Sequence, residues 1–316
     1  MLTFDECYQT FPELTTPDDF EEFWKASIKE LKSFPIKLED TVPLKGQHLK
    51  ETVHSISFQG YLNYKISGNL VIPRKRGDLP VVVFFHDYNE NKPAIWPELT
   101  HLGFAQLSVH LRGHGDQLIK PQLATEDDLW SPGYFTDGIE KPDTFYMKYL
   151  FLDVLRTIEF LRLTKGIDSE NIYLHGKNLG AALAVFGAAF SKRVKGIFLE
   201  TPGFSHLSVE QLKSDAAWAK EINSYLHDLT PAKKTKIKKQ LAYFDVLNMA
   251  EKISIPALVS CGLKDNISTP KSVFALFNRL SVEKQMHLYP DQGNDYAVAE
   301  QKKKNIEFLK EITNWK

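Results

Sequence analysis

The chain is expected to fold as an α/β protein built on a doubly wound, mostly parallel sheet, and three features of its 316 residues carry that expectation. Residues 80–86 and 104–109 are read as apolar runs, as in strands covered on both faces. Strand-like and helix-like patterns then alternate along the chain, the rhythm of parallel strands joined by crossover helices. Residues 172–180 read as a strand ending in a tight turn bounded by two glycines, and the small-residue run 181–189 follows as a helix.

Taken in order, Thr16-Pro17-Asp18-Asp19 is expected to open a helix, with a capping residue, a proline at the first helical position and acids in the first turn. Phe20, Phe23, Trp24, Ile28 and Leu31 make its one apolar face, which is expected to pack on the main domain. The alternation over 54–58, then Gly60 and a second run over 64–72, predicts an antiparallel hairpin at the edge of the sheet. Tyr146, Tyr149, Leu150, Val154, Ile158 and Leu161 recur at helical spacing and predict a helix within 144–164. Strands are expected at 194–199, 257–261 and 285–289, and helices at 271–280 and 297–312. Residues 204–251 break the rhythm with charged, helix-prone sequence. They are read as a helical insertion near the mouth of the site, within a single domain spanning 1–316. The lysines between 233 and 239 are read as a solvated face of that insertion.

Composition narrows the function classes. A net charge of -1 with 43% hydrophobic and 25% charged residues suits an ordinary globular protein and argues against a nucleic-acid binder. No apolar run approaches the ~18 residues of a membrane span, and the first residues lack the basic and apolar regions of a signal peptide. A cytoplasmic location without membrane association is therefore expected. Cys7 and Cys261 stand in unrelated contexts, so neither a disulfide framework nor a metal site is indicated, and no cofactor is expected.

The Gly-bounded turn has the outline of a nucleophile elbow, G-x-S-x-G, in which two glycines allow a strained strand-to-helix turn to present a serine. In Gly176-Lys177-Asn178-Leu179-Gly180 the central residue is asparagine. A carboxamide is a poor nucleophile and has no proton that a neighbouring base can usefully remove. A five-residue motif is also compatible with a plain turn, and both readings stay open on the motif alone.

Further segments fall in an order that resembles one family, the acetyl-xylan esterases and cephalosporin-C deacetylases of carbohydrate esterase family seven. They are Pro17 to Trp24, His86-Asp87-Tyr88-Asn89, Arg112-Gly113-His114-Gly115, residues 133–139, the elbow, Tyr243-Phe244-Asp245, Ile255-Pro256-Ala257 and residues 262–267. The resemblance covers nearly the whole chain and implies an α/β-hydrolase fold with an esterase site. It also implies a small acetylated or sugar-like ligand and a homo-oligomer, hexameric by analogy.

By that resemblance the oxyanion hole is formed by the backbone amides of Tyr88, in a turn that is His-Gly-Tyr-Asn-like in the family, and of Leu179, where the family has glutamine. Asp265 matches the triad acid, and an aspartate just past a strand also suits a turn cap; both readings stay open. Asn294, in Tyr289-Pro290-Asp291-Gln292-Gly293-Asn294, falls where the triad histidine belongs. Asparagine does not titrate near neutral pH and so cannot act as a general base. Asn178, Asp265 and Asn294 are thus the expected triad positions with serine and histidine replaced. Arg112 resembles an arginine that braces the site by an internal salt bridge. His114 and His175 stand as alternative bases or as packed residues. The resulting expectation is a non-catalytic or severely impaired member, with an active acetyl ester hydrolase using a relocated base or nucleophile as the alternative.

Overall fold

The computed structural model describes residues 4–43, 51–75, 77–88, 90, 95–114, 134–295 and 298–314. The N-terminal part holds helices α1 (Phe4–Tyr8) and α2 (Phe20–Leu31) and strands β1 (Leu38–Pro43), β2 (Glu51–Gln59) and β3 (Lys65–Pro73). Next come β4 (Leu79–Phe85), α3 (Pro97–Leu102), β5 (Ala105–His110), α4 (Tyr146–Leu163), β6 (Ile167–Lys177), α5 (Leu179–Phe190) and β7 (Val194–Glu200). After β7 follow α6 (Ala217–His227), α7 (Pro231–Leu241), β8 (Ala257–Gly262), α8 (Pro270–Arg279), β9 (Lys284–Tyr289) and α9 (Val298–Ile312). Asn89, Gly115, Gly133 and Ala297, which belong to segments singled out above, lie outside the described residues.

The described strands form a nine-stranded sheet in the order β1-β2-β3-β5-β4-β6-β7-β8-β9. The β1–β2, β2–β3 and β3–β5 pairings are antiparallel, and every pairing from β5 to β9 is parallel. The sequence-expected hairpin is present, with Glu51 opposite Pro73 and Gln59 opposite Lys65, but it is not the edge. β1 pairs outside β2 and takes that place. Its sequence, Leu-Glu-Asp-Thr-Val-Pro, has neither apolar alternation nor an apolar run. Charge and a proline are what protect an exposed edge, and they also hide it from pattern reading.

The N-terminal helix also starts later than expected. Asp19, not Thr16, stands at the cap, and the Pro17–Asp19 stretch is a turn in which the Phe20 amide reaches the Pro17 carbonyl at 3.1 Å. Its apolar face packs as the spacing requires. Trp24 is fully buried among Phe151, Phe186, Phe190 and Phe244, and its indole N–H donates to the Tyr243 carbonyl at 3.1 Å.

Helices cover both faces of the sheet. α4, α5 and α8 pack on one face in the main core, while α3 and α9 cover the other through Leu99, Phe308 and Leu309 against Val82, Phe84, Tyr173, Phe198 and Leu258. α5 is almost entirely small and buried, so its backbone lies close to the strands beneath it. β4 has β5 on one side and β6 on the other, and the connections from β4 and β6 therefore diverge. A crevice opens at such a switch point outside the carboxyl ends of the strands, and here those ends carry residues 86–88 and 177–180.

Residues 204–251 leave the carboxyl end of β7 and are mostly helical, with α6, α7 and three short 3-10 turns. The Asp215 amide donates to the Asn266 carbonyl at 2.8 Å, and Glu221 on α6 accepts from the Tyr88 hydroxyl. Those two contacts seat α6 at the carboxyl ends of β8 and β4. On α7, Lys233, Lys236, Lys238 and Lys239 are exposed while Ile237 and Leu241 are buried, the pattern of a solvated face.

Candidate active site

Asn178 is the single residue between the end of β6 and the start of α5, and its backbone has φ 45° and ψ −104°. Positive φ in a residue with a side chain is strained and persists only when its surroundings fix it. Here the Asn178 amide donates to the Glu200 carbonyl at 2.9 Å, and its carbonyl accepts from the amides of Ala182 and Gly203, each at 3.1 Å. Both bounding glycines are required by space: a Cβ on Gly176 would collide with the Gly180 backbone, and one on Gly180 with the Phe85 carbonyl. The Asn178 side chain is buried against Gly203, and its Oδ1 has no hydrogen-bond partner.

Asp265 lies in the turn after β8 and is buried. Its Oδ1 accepts from the amides of Ile267 at 2.7 Å and Ser268 at 3.0 Å, and its Oδ2 accepts from Asn294 Nδ2 at 3.2 Å. One oxygen therefore holds the turn and the other faces Asn294. Burial raises the Asp265 carboxyl above its ordinary range, against the pull of these three donors. Asn294 also donates to Thr201 Oγ1 at 3.4 Å. Lys177 reaches Asp295 at 3.7 Å and so ties the loop after β9 to the elbow. Among the described residues no hydrogen bond joins Asn178 to Asp265 or Asn294.

The loop after β7 carries positive φ at Thr201, Phe204 and His206. Asp245 compensates from across the insertion, accepting from the amides of His206 at 2.9 Å, Leu207 at 2.7 Å and Leu247 at 3.0 Å. Burial still pushes its carboxyl up to about 7.

The turn after β4 brings an unexpected residue to the elbow. Asp87 Oδ1 accepts from the amide of Tyr88 at 2.7 Å and from the amide of Leu179 at 3.2 Å. Burial, outweighing those two donors, pushes the Asp87 carboxyl up to about 7. His86 receives the Leu111 amide on Nε2 at 3.0 Å, so its Nδ1 carries the hydrogen that faces the Asp87 carbonyl at 2.7 Å. Burial also lowers the His86 pKa to about 4, which keeps the ring neutral. The Tyr88 side chain turns away from the elbow, with its hydroxyl on Glu221 and its ring edge-on to His114 and Phe135.

Arg112 is buried and pairs bidentately with Asp153 at 2.9 and 3.0 Å. It also donates to the Tyr61 carbonyl at 2.7 Å and lies 4.2 Å from the centre of the Tyr64 ring. His114 is buried among Tyr88, His86 and Tyr134. Its Nδ1 lies 3.1 Å from the Arg112 carbonyl, and its Nε2 is buried without a partner. Burial lowers its pKa, so the ring is neutral at pH 7. His175 lies on the α9 side of the sheet, packed on Phe84 and Trp96, with Nε2 at 2.8 Å from Glu200. Burial alone would raise the Glu200 carboxyl, but His175 and the Asn305 amide outweigh it and hold it below its ordinary value.

Asn178, Leu179, Tyr88, Asp265 and Asn294, the residues singled out in the sequence, all stand at the carboxyl ends of the parallel strands. The sequence reading passed over Asp87, Thr201, Glu200 and Glu221. Only Asp87 had a signal, as the residue standing where the resembled His-Gly-Tyr-Asn turn has glycine. The other three are brought in by tertiary contacts from β7 and α6.

A family model described as acetyl xylan esterase matches residues 1–312 of the chain. The chain belongs to the acetyl xylan esterase family. Within it, the chain is similar to the acetyl esterase Axe7A of Xylanibacter ruminicola, at 25% identity over 285 residues. That match covers 88% of this chain and 64% of the relative, so the chain spans less than two thirds of the length of the curated protein it resembles. An acetyl xylan esterase from Paenibacillus sp. R4 superposes with a TM-score of 0.88 at 26% identity, covering 100% of both chains. Acetyl xylan esterase 1 from Thermoanaerobacterium sp. JW/SL YS485 superposes with a TM-score of 0.87 at 23% identity over 98% of this chain and 99% of that one, a likeness of fold. The α/β-hydrolase fold expected from the sequence is therefore the fold of this chain. Among the described residues no helix is long and apolar enough to cross a membrane, and no group of three or more His, Cys, Asp or Glu is placed to hold a metal ion.

Proposed function

We propose that this family member has lost acyl transfer and binds a small acetylated or sugar-like ligand at the carboxyl ends of its strands. In this reading Asn178, Asp265 and Asn294 occupy the triad positions, and the amides of Tyr88 and Leu179 are the hole. The observation that carries it is the contact of Asn294 Nδ2 with Asp265 Oδ2 at 3.2 Å. An acid there would orient and charge-stabilise an imidazole, and it holds instead a carboxamide that neither accepts nor returns a proton near neutral pH. Asn178, with the strained backbone of an elbow, has no hydroxyl to be activated.

His114 supports a second reading, because its neutral ring has an unpartnered Nε2 beside Tyr88. As a relocated base it would take a proton from a water attacking the ester carbon and return it to the leaving alcohol. His175 is committed to Glu200 on the far face of the sheet and supports no such role. We also propose that residues 1–316 form one domain, that the 204–251 insertion limits access to the pocket, and that the chain assembles as a homo-oligomer.

Hydrolysis of p-nitrophenyl acetate separates the two readings. The unaltered chain is expected to stay within roughly a thousandfold of the uncatalysed rate, the most that binding and an open oxyanion hole supply without a triad. Efficient turnover that is lost in His114→Ala would defeat the first reading and establish the second.

A further inference from the structure

We infer that the Asp87 carboxylate is a built-in occupant of the anion site made by the Tyr88 and Leu179 amides, so the chain withholds those donors from an acyl oxygen. This rests on the reading above that the two amides are the oxyanion hole. One donor comes from the end of β4 and the other is the first residue of α5, and they converge on a single oxygen at 2.7 and 3.2 Å. Two backbone donors at about 2.7–3.1 Å from one oxygen are what a tetrahedral oxyanion needs. Here the oxygen is supplied by the protein itself.

Three features keep it there. The N-terminus of α5, a helix of 12 residues, favours a negative group at its first amide. The Asp87 backbone is fixed on both sides, its amide on Glu90 Oε2 at 3.3 Å and its carbonyl on His86 Nδ1 at 2.7 Å. If the side chain swung out, the Tyr88 and Leu179 amides would be left without this acceptor. Above about pH 7, where Asp87 is ionised, an ester carbonyl entering the site would have to displace a charged acceptor, which is the stronger partner. The oxyanion formed from it would then develop beside a carboxylate. The loss is independent of Asn178 and Asn294 and adds to them. It also narrows the ligand. A molecule reaching this turn meets an acceptor in place of two donors, so it is recognised through hydroxyl groups, as in a free sugar, and not through an acetyl carbonyl.

The test uses the full chain and follows the backbone amide resonances of Tyr88 and Leu179. In the unaltered protein both are expected to move together through one ionisation between about pH 5 and pH 9, the range in which a carboxyl pushed up to about 7 titrates. The movement should vanish in Asp87→Asn, which keeps an acceptor oxygen in place, and in Asp87→Ala. Sodium acetate should shift both resonances in Asp87→Ala and neither in the unaltered chain or Asp87→Asn. Amides that ignore pH and shift with acetate in the unaltered chain would overturn the proposal. In a second arm, Asn178→Ser with Asn294→His should leave p-nitrophenyl acetate hydrolysis near the starting level. Adding Asp87→Ala to that pair should raise it by about 100-fold or more, the effect of regaining a hole donor. A triple variant no faster than the double would overturn the claim that Asp87 is what withholds the hole. Efficient hydrolysis by the unaltered chain with amides that still titrate would instead overturn only the reading of Asn178 and Asn294 as lost catalytic groups.

Discussion

Asn178 holds a backbone conformation that its side chain makes costly, φ 45° between β6 and α5, and in the reading proposed above it presents no nucleophile there. Replacing it with glycine should therefore stabilise the protein. Two local costs are removed: φ 45° with a Cβ, of order 1–3 kcal/mol, and a buried Oδ1 without a partner, about 1–3 kcal/mol. Against them stand the greater chain entropy of glycine, about 0.5–1 kcal/mol, and the lost packing of the side chain, roughly 1 kcal/mol. The net expectation is a gain of about 1–3 kcal/mol for Asn178→Gly. Asn178→Ala separates the contributions, since alanine removes the unpaired amide and keeps the strain. At an ordinary helical position glycine is the less stable of the two by about 0.5–1 kcal/mol. At 178 the order should invert, with glycine ahead by about 1 kcal/mol or more. Urea denaturation of the three proteins, compared at equal slope, reads the difference directly. Alanine at 178 as stable as glycine would refute the claim that the turn is strained.

Two further outcomes follow from buried charge. The folded-state pKa values of Asp87 and Asp245, both pushed up to about 7, lie above the ordinary value of 3.8. Between those limits the folded protein holds more protons than the unfolded chain. Their contribution is therefore fully favourable below about pH 4 and is lost as pH rises through about 7. The urea midpoint should accordingly fall less over that window in Asp87→Asn than in the unaltered chain. Arg112→Met should destabilise by about 3–5 kcal/mol, because it leaves Asp153 buried and unpaired, and Arg112→Met with Asp153→Leu should cost clearly less than the two single changes together. Additive losses in that double-mutant cycle would show that the pair is not coupled.

The class of fold and most of its elements are legible in the sequence, because a strand covered on both faces and a helix with one apolar face leave period-specific traces in a linear chain. So are the residues at the turn after β6 and after β8 and β9, since those positions are defined by local turns: Gly176 and Gly180 around Asn178, Asp265 just beyond β8, Asn294 just beyond β9. What was missed has a common cause. β1 is an edge strand whose charge and proline serve protection, not pairing, so no pattern marks it. Asn294 meets Thr201, 93 residues away, and Tyr88 meets Glu221, 133 residues away, and nothing local in the chain records such meetings. The contact of Asp87 with the Tyr88 amide is local, but its meeting with the Leu179 amide comes from the tertiary fold. Leu179 is 92 residues from Asp87 in sequence, and only the parallel pairing of β4 with β6 brings the turn after one strand against the helix that follows the other.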